Sequence, residues 1–427
     1  MLVGLGCARQ RPESPPPSVP DPDWMSVTVP PMAPFPGTTG LSAASCGSCH
    51  QEIYTEWSAS THAHAWVDRQ FQAELHKDEA VAWLCINCHT PLAAQQVQLT
   101  TSTGNIRSPQ RVDNPNFDAE LQAEGITCLT CHWRPEGIAA VHEDAVAPHP
   151  LVYAPELRSE TTCTGCHQAV ARLEDALVCT FNTGQEWADA APGRTCPECH
   201  MPSVSRASAV GAPERKGGQH LWPGSLIPKD AWSDAEAALF KDWAPGADLT
   251  VVVPDVGDVG EPVTIRVQLT NARAGHMLPT GDPERYLELR TLVESVDGDV
   301  LISEEHRVGQ RWEWYPVARK VDDNRLAPGE TRAWEHRFTL PEGGAALRVE
   351  LDHVRISPEN AGYHDLGDYP TRRRVKSEAR QIRPPWPDLG ARSLTPAQPH
   401  RIHRCLFAWD RLRGAGTPVP RWSPYRS

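Results

Sequence analysis

The chain has 427 residues, 41 Lys+Arg against 54 Asp+Glu, a formal net charge of −13 and 40% apolar residues. That is room for about two or three domains with a buried core. The acidic balance excludes a nucleic-acid binder with a basic face, and no apolar run is long enough for a membrane-spanning helix.

In chain order, residues 1–40 read as an export remnant and tether. Met1 to Gly6 is too short for a complete signal peptide, and Leu5-Gly6-Cys7 resembles a lipoprotein cleavage site, which implies a start upstream. The alternative is that Cys7 is an ordinary tail residue. The Pro-rich stretch from Arg9 to about Gly40, with Pro15-Pro16-Pro17, predicts a semi-rigid extended tether. A lipid on Cys7 would hold a soluble head off a membrane.

Residues 41–245 hold ten of the 13 Cys in five Cys-x-x-Cys pairs: Cys46/Cys49, Cys85/Cys88, Cys128/Cys131, Cys163/Cys166 and Cys196/Cys199. His50, His89, His132, His167 and His200 follow each pair directly. Cys-x-x-Cys-His is the attachment pattern for c-type haem. Two thiols about one helical turn apart each form a thioether to one vinyl group, and the next imidazole reaches the iron. Zinc ribbons also use Cys-x-x-Cys, but in pairs of pairs, and five is odd. Thioredoxin-like redox chemistry needs one pair. The motifs recur every 33 to 43 residues, a spacing too short for each unit to enclose a haem alone. Five covalent haem c groups are therefore expected to pack together as the core. Attachment by this motif takes place outside the cytoplasm, so the expected location is periplasmic or extracytoplasmic.

A haem with imidazole on both faces passes electrons, and one with an empty face can bind substrate. Candidates for the second face follow in order. The stretch Gln51 to Ala65 predicts a helix carrying His62 and His64, which point in different directions. His142 and His149 lie in a loop-like stretch around Gly137-Ile138-Ala139-Ala140-Val141. His220 follows the fifth motif, and His276 sits in Gly275-His276-Met277-Leu278-Pro279-Thr280-Gly281, a turn by composition. His149, His76 and His64 compete for the fifth place. Nothing around Cys85 to Leu92 suggests a partner for the second motif.

The segment Cys46 to Ala65, the run Cys196-Pro-Glu-Cys199-His200-Met201-Pro202 with His220, and Gly275-His276-x-x-Pro279-Thr280-Gly281 resemble multihaem c-type cytochromes related to the tetrahaem partner of hydroxylamine oxidoreductase. The resemblance spans roughly Leu41 to Glu359. It implies that His62, His142, His220 and His276 are second iron ligands, with His62 serving a haem other than its own and His276 delivered from the second domain. This chain departs from the pattern in having five motifs rather than four. Pentahaem nitrite reductases replace one motif His by Lys, and here all five are His.

Residues 246–356 alternate apolar and polar in Leu249–Val253, Val263–Leu269, Tyr286–Leu292, Val300–Ile302, Arg332–Leu340 and Leu347–Leu351, with turns at Asp297-Gly298 and Pro328-Gly329. This predicts an all-β immunoglobulin-like sandwich after the mainly α and irregular haem domain. His306, His336 and His353 lie on these strands as ordinary residues.

Residues 357–427 read as a basic Pro/Arg-rich tail, with 13 Lys+Arg against 6 Asp+Glu, where residues 41–245 have 13 against 25. The tail either folds back by charge attraction or stays solvated, with His364, His400 and His403 at the surface. Cys179 and Cys405 are left over and free to pair in an oxidising compartment.

The expected function is electron transfer through stacked low-potential haems in a respiratory chain. The partners would be redox proteins such as a membrane quinol oxidase, with no nucleic acid and membrane contact only through Cys7. Two alternatives are a haem reductase of a small nitrogen or sulfur oxyanion at one open face, and a redox-linked binding module using the sandwich.

Overall fold

The computed structural model describes residues 33–102, 105–172, 177–314 and 317–385. Cys7, Cys405, His400, His403 and the Pro-rich tether up to Met32 lie outside the described residues. One compact unit runs to Pro384 and includes both the haem-motif region and the β-rich region.

The haem-motif region is built from short helices and two- or three-stranded ladders. Its apolar clusters are small. One gathers Val81, Trp83 and Leu84, another Ala59, Leu221, Leu226 and Phe240. The expected helix from Gln51 to Ala65 stops at Ala59. The Ser60 hydroxyl donates to the Trp57 carbonyl at 2.6 Å, a side-chain bond that competes with the next helical turn. Residues 137–140, read as loop, form the strand Gly137–Ala140, antiparallel to Trp133–Arg134 and parallel to Leu151–Tyr153.

The β-rich region has two antiparallel sheets. One orders Ala247–Val252, Pro262–Asn271 and Thr331–Thr339. The other orders Arg319–Asp323, Val300–Glu313, Tyr286–Ser295, Ala345–Val354 and Arg372–Ile382. Alternate residues of both sheets, among them Ile265, Val267, Leu289, Val349 and Leu351, meet in one fully buried core.

The basic segment after Ser357 is not a tail up to Ile382. It supplies the helix Pro358–Tyr363 and the edge strand Arg372–Ile382, paired along its length with Ala345–Val354. Its arginines face acids on the neighbouring strands. Arg374 bonds Asp352 and Glu350, and Arg372 lies 3.1 Å from Glu288. Cationic residues on an edge strand also discourage pairing with another chain. Composition alone hid a strand whose charge is matched across the ladder.

A buried polar network joins the two regions. Asp68 is ion-paired with Lys229 and accepts from the Tyr369 hydroxyl at 2.6 Å. Arg355 donates to Tyr369 Oη at 2.7 Å and to the Pro228 carbonyl at 3.0 Å. Despite the desolvation that opposes it, the Lys229 ammonium holds the Asp68 carboxyl below its usual range. Its contribution to stability is therefore present above the ordinary carboxylate pKa of about 4 and is lost as pH falls through the depressed folded value. Asp68→Ala leaves Lys229 buried and unpaired, and is expected to cost about 3–5 kcal/mol. Asp68→Asn, which keeps the Tyr369 acceptor, should cost less. Thermal unfolding of both variants from pH 7 to pH 3 checks this, and the gap to wild type should narrow at low pH.

Candidate functional site

Each motif sits on a short helix or a helix junction. Cys46 closes the helix Ala43–Gly47, and His50 opens the next, Gln51–Ala59. The other four lie on Ala82–His89, Cys128–His132, Thr161–His167 and Cys196–His200. The fifth is fixed by a capping box, in which Thr195 Oγ1 accepts from the Glu198 N–H while the Glu198 carboxylate accepts from the Thr195 N–H.

All ten motif cysteines and all five motif histidines line one cavity of about 3190 Å³. A pocket for one small ligand measures about 300–1,000 Å³, so this space is built for several large groups. The motifs touch across it. Cys46 lies beside Cys128, Cys88 beside Cys166, and Cys163 beside Cys196. The first motif thus abuts the third, the second abuts the fourth, and the fourth abuts the fifth.

The histidines fall into facing pairs. Ring centres are 6.2 Å apart for His132 and His220, 6.3 Å for His62 and His167, and 6.3 Å for His200 and His276. A coordinating imidazole nitrogen sits about 2 Å from its metal and roughly 1 Å from its own ring centre, so two imidazoles on opposite sides of one ion have centres about 6 Å apart. These gaps are the width of an imidazole–metal–imidazole sandwich.

The rings are held for that role. Nδ1 of His50, His89, His132 and His200 lies 2.6–2.8 Å from the carbonyls of Ser208, Ala65, Ala139 and Pro223. Nδ1 of His220 is 3.0 Å from the Gly218 carbonyl, and that of His276 is 2.9 Å from the Met277 carbonyl. A carbonyl on Nδ1 places the proton there and leaves Nε2 as the ligand atom. Burial pushes His62 and His220 down to about 3, and His89 and His167 down to about 4. All four are neutral at pH 7, the form that binds a metal.

Distant segments set the partner rings. Buried Glu56 takes a two-pronged bond from Arg206 at 2.6 and 2.7 Å and accepts the His220 backbone N–H at 2.8 Å. His62 packs against Gly125, where a Cβ would stand 2.8 Å from the His62 carbonyl, and φ is +61°; only glycine fits without strain. Trp222 touches both His62 and His220, at 4.7 and 5.2 Å between ring centres. The His276 loop is pinned at its root by buried Asn271, whose side chain donates to the His276 carbonyl at 2.9 Å and accepts from the Ala274 N–H. Further along, Thr280 donates to Glu186 at 2.6 Å, and Arg325 bonds the same carboxylate.

His50 and His89 face no second imidazole at this spacing among the described residues. His142 and His149 both line the cavity, but His142 Nε2 lies 2.9 Å from the Lys216 carbonyl. His64 and His76 do not line it: His64 Nδ1 is 2.9 Å from the Ser60 carbonyl, and His76 ends the helix Arg69–Leu75 at the surface. Cys179 lines the cavity. His353 and His364, read as ordinary strand and tail residues, also line it. Sequence reading missed Asp68, Lys229, Arg285 and Arg355 as well. None carries a periodic or motif signal, because each is placed by tertiary packing.

Residues 45–133, which hold the first three motifs, match the family model described as cytochrome c554 and c-prime. A penta-heme cytochrome c552 from Thermochromatium tepidum is similar in structure, with a TM-score of 0.56 and 20% identity over 80% of this chain and 99% of that one. The family match covers the first three motifs, and the structural likeness is one of fold, that of a multihaem cytochrome. A CARDB domain from Pyrococcus furiosus, bound to di-metal ions, aligns with 32% of this chain and 88% of its own at 15% identity and a TM-score of 0.19. No curated protein matches the chain.

Haem c fits what the residues offer: paired thiols, a motif imidazole on each helix, and a cavity sized for several macrocycles. When bound, haem supplies a reversible one-electron iron couple. The chain's own residues space, orient and dehydrate the groups. Asn271→Ala removes the root bonds of the His276 loop and is expected to cost about 1–3 kcal/mol. Hydrogen exchange of residues 273–281 should quicken while exchange in the strand Tyr286–Ser295 stays at the wild-type rate.

Proposed function

We propose that this cytochrome is an exported pentahaem electron carrier, a relative of the tetrahaem partner of hydroxylamine oxidoreductase. It would pass electrons in a respiratory chain between redox proteins, a membrane quinol oxidase among them, in the periplasm or another extracytoplasmic space. A lipid on Cys7 would be its membrane tie. The three imidazole pairs at 6.2–6.3 Å carry this reading.

In it, Cys46, Cys49, Cys85, Cys88, Cys128, Cys131, Cys163, Cys166, Cys196 and Cys199 form the thioethers. His50, His89, His132, His167 and His200 are the motif-side ligands. The second ligands are His220 for the third haem, His62 for the fourth and His276 for the fifth. His142 serves the first after turning from Lys216. The motif contacts support an electron path in which the fourth haem is the junction, because its thiols meet those of the second and the fifth. Imidazole on both faces gives lower potentials than imidazole with methionine. The β-rich region, on this reading an immunoglobulin-like sandwich, delivers His276.

A second reading is favoured by one observation: among the described residues His89 has no imidazole opposite it. Phe71 stacks on its ring at 3.7 Å and 5°, and so orients the ring without supplying a ligand. The second haem then keeps an open face for a small nitrogen or sulfur oxyanion.

His62→Ala, His220→Ala and His276→Ala should each convert one low-spin haem per chain into a high-spin one by electron paramagnetic resonance, with five haems retained by mass. Unchanged spectra in all three would refute the ligand assignment. The charge of −13 further predicts docking to a basic redox partner, with association slowed at least several-fold between low salt and about 0.15 M. Stopped-flow electron exchange over that salt range checks it.

A further inference from the structure

Three buried side-chain nitrogens in one wall of the cavity have no partner. They are Arg285 Nε, His353 Nε2 and Arg355 Nε, and all three residues line the cavity. A buried donor left unmet costs about 1–3 kcal/mol, so the two guanidinium N–H groups with the imidazole between them mark a place shaped for an acceptor. Arg355 is 2% exposed, and its two terminal nitrogens are tied to Tyr369 Oη and the carbonyls of Pro228, Pro370 and Ile227. That leaves Nε fixed in place. The two guanidinium groups lie close enough to His353 to disfavour its protonation together with burial.

The wall adjoins the second motif. Phe71, three residues after Asp68, stacks on His89 at 3.7 Å, and Asp68 accepts from the Tyr369 hydroxyl to which Arg355 is bonded. Asp282 lies in the field of Arg285, Glu74 and Lys229, and Glu74 in that of Cys85. The acids nearby are largely occupied. Asp68 is held by Lys229 and Tyr369, and Glu284 accepts from Asn360 at 2.5 Å. Asp282 accepts the Glu284 N–H at 2.9 Å, and burial pushes its carboxyl up, toward the neutral form. Unmatched donors thus exceed available acceptors.

We propose that Arg285, His353 and Arg355 form an oxyanion-binding site beside the haem of the second motif. Guanidinium groups meet two or more oxygens of a carboxylate or a small oxyanion in one geometry. The oxyanion has two possible sources, a propionate of that haem or a free anion reaching its open face. The inference rests on the reading that Cys85 and Cys88 carry a haem.

The test uses the fully loaded protein, wild type and Arg285→Met, with nitrite as the probe. Nitrite titration is followed by electron paramagnetic resonance, and haem midpoint potentials are measured by redox titration. If a free anion binds, nitrite shifts a high-spin signal in wild type, and Arg285→Met weakens that affinity at least ten-fold. If a propionate is held, nitrite does nothing, and Arg285→Met moves one haem to lower potential, because a lost cation favours the oxidised iron. Either result supports the site. Should Arg285→Met load poorly, Arg285→Lys keeps the charge but loses the fork and should give the same change at smaller size. A five-haem protein in which Arg285→Met or Arg285→Lys changes neither property, and His353→Phe changes neither as well, overturns the anion site alone. Unmodified Cys85 and Cys88 by mass spectrometry would overturn both it and the five-haem reading.

Discussion

The facing of imidazoles across gaps of about 6 Å, which the proposed coordination of iron requires, is the constraint on which this structure depends. It asks for two rings about 6 Å apart with their Nε2 atoms free, and it must be met by segments far apart in the chain. His132 reaches His220, His167 reaches His62, and His200 reaches His276. Each contact folds a long loop back on a motif helix. The apolar clusters in this region are too small to specify such a path. On the proposed reading, covalent anchoring and ligation take the place of a large hydrophobic core in this region.

The β-rich region has the opposite character. Its two sheets close on a large dry core and give a rigid frame from which one loop projects. Asn271 at the root, with Glu186 and Arg325 further along, holds that loop against the motif region. The Asp68–Lys229–Tyr369–Arg355 network fixes the two regions at a second place. Two separated attachments restrict rotation, which keeps His276 facing His200.

The motif cysteines and histidines were legible because the chemistry of thioether attachment imposes one spacing. Period-two alternation likewise disclosed the central strands. The strand Arg372–Ile382 was not legible, since its arginines look like a solvated tail until Asp352 and Glu350 are seen beside them. The helix from Gln51 ended early because Ser60 captured the Trp57 carbonyl, a local competition that composition does not reveal. His62, His220 and His276 were reached through family resemblance and a count of faces, and the structure gives each a facing ring. The wall of Arg285, His353 and Arg355 was invisible because it joins the end of the strand Ala345–Val354 and its exit to the loop that precedes the strand Tyr286–Ser295.

Anomalous diffraction at the iron edge from crystals of the loaded protein tests the central claim most directly. The account predicts five iron peaks per chain, three of them midway between His132 and His220, between His62 and His167, and between His200 and His276. Iron peaks lying away from those three midpoints would contradict it.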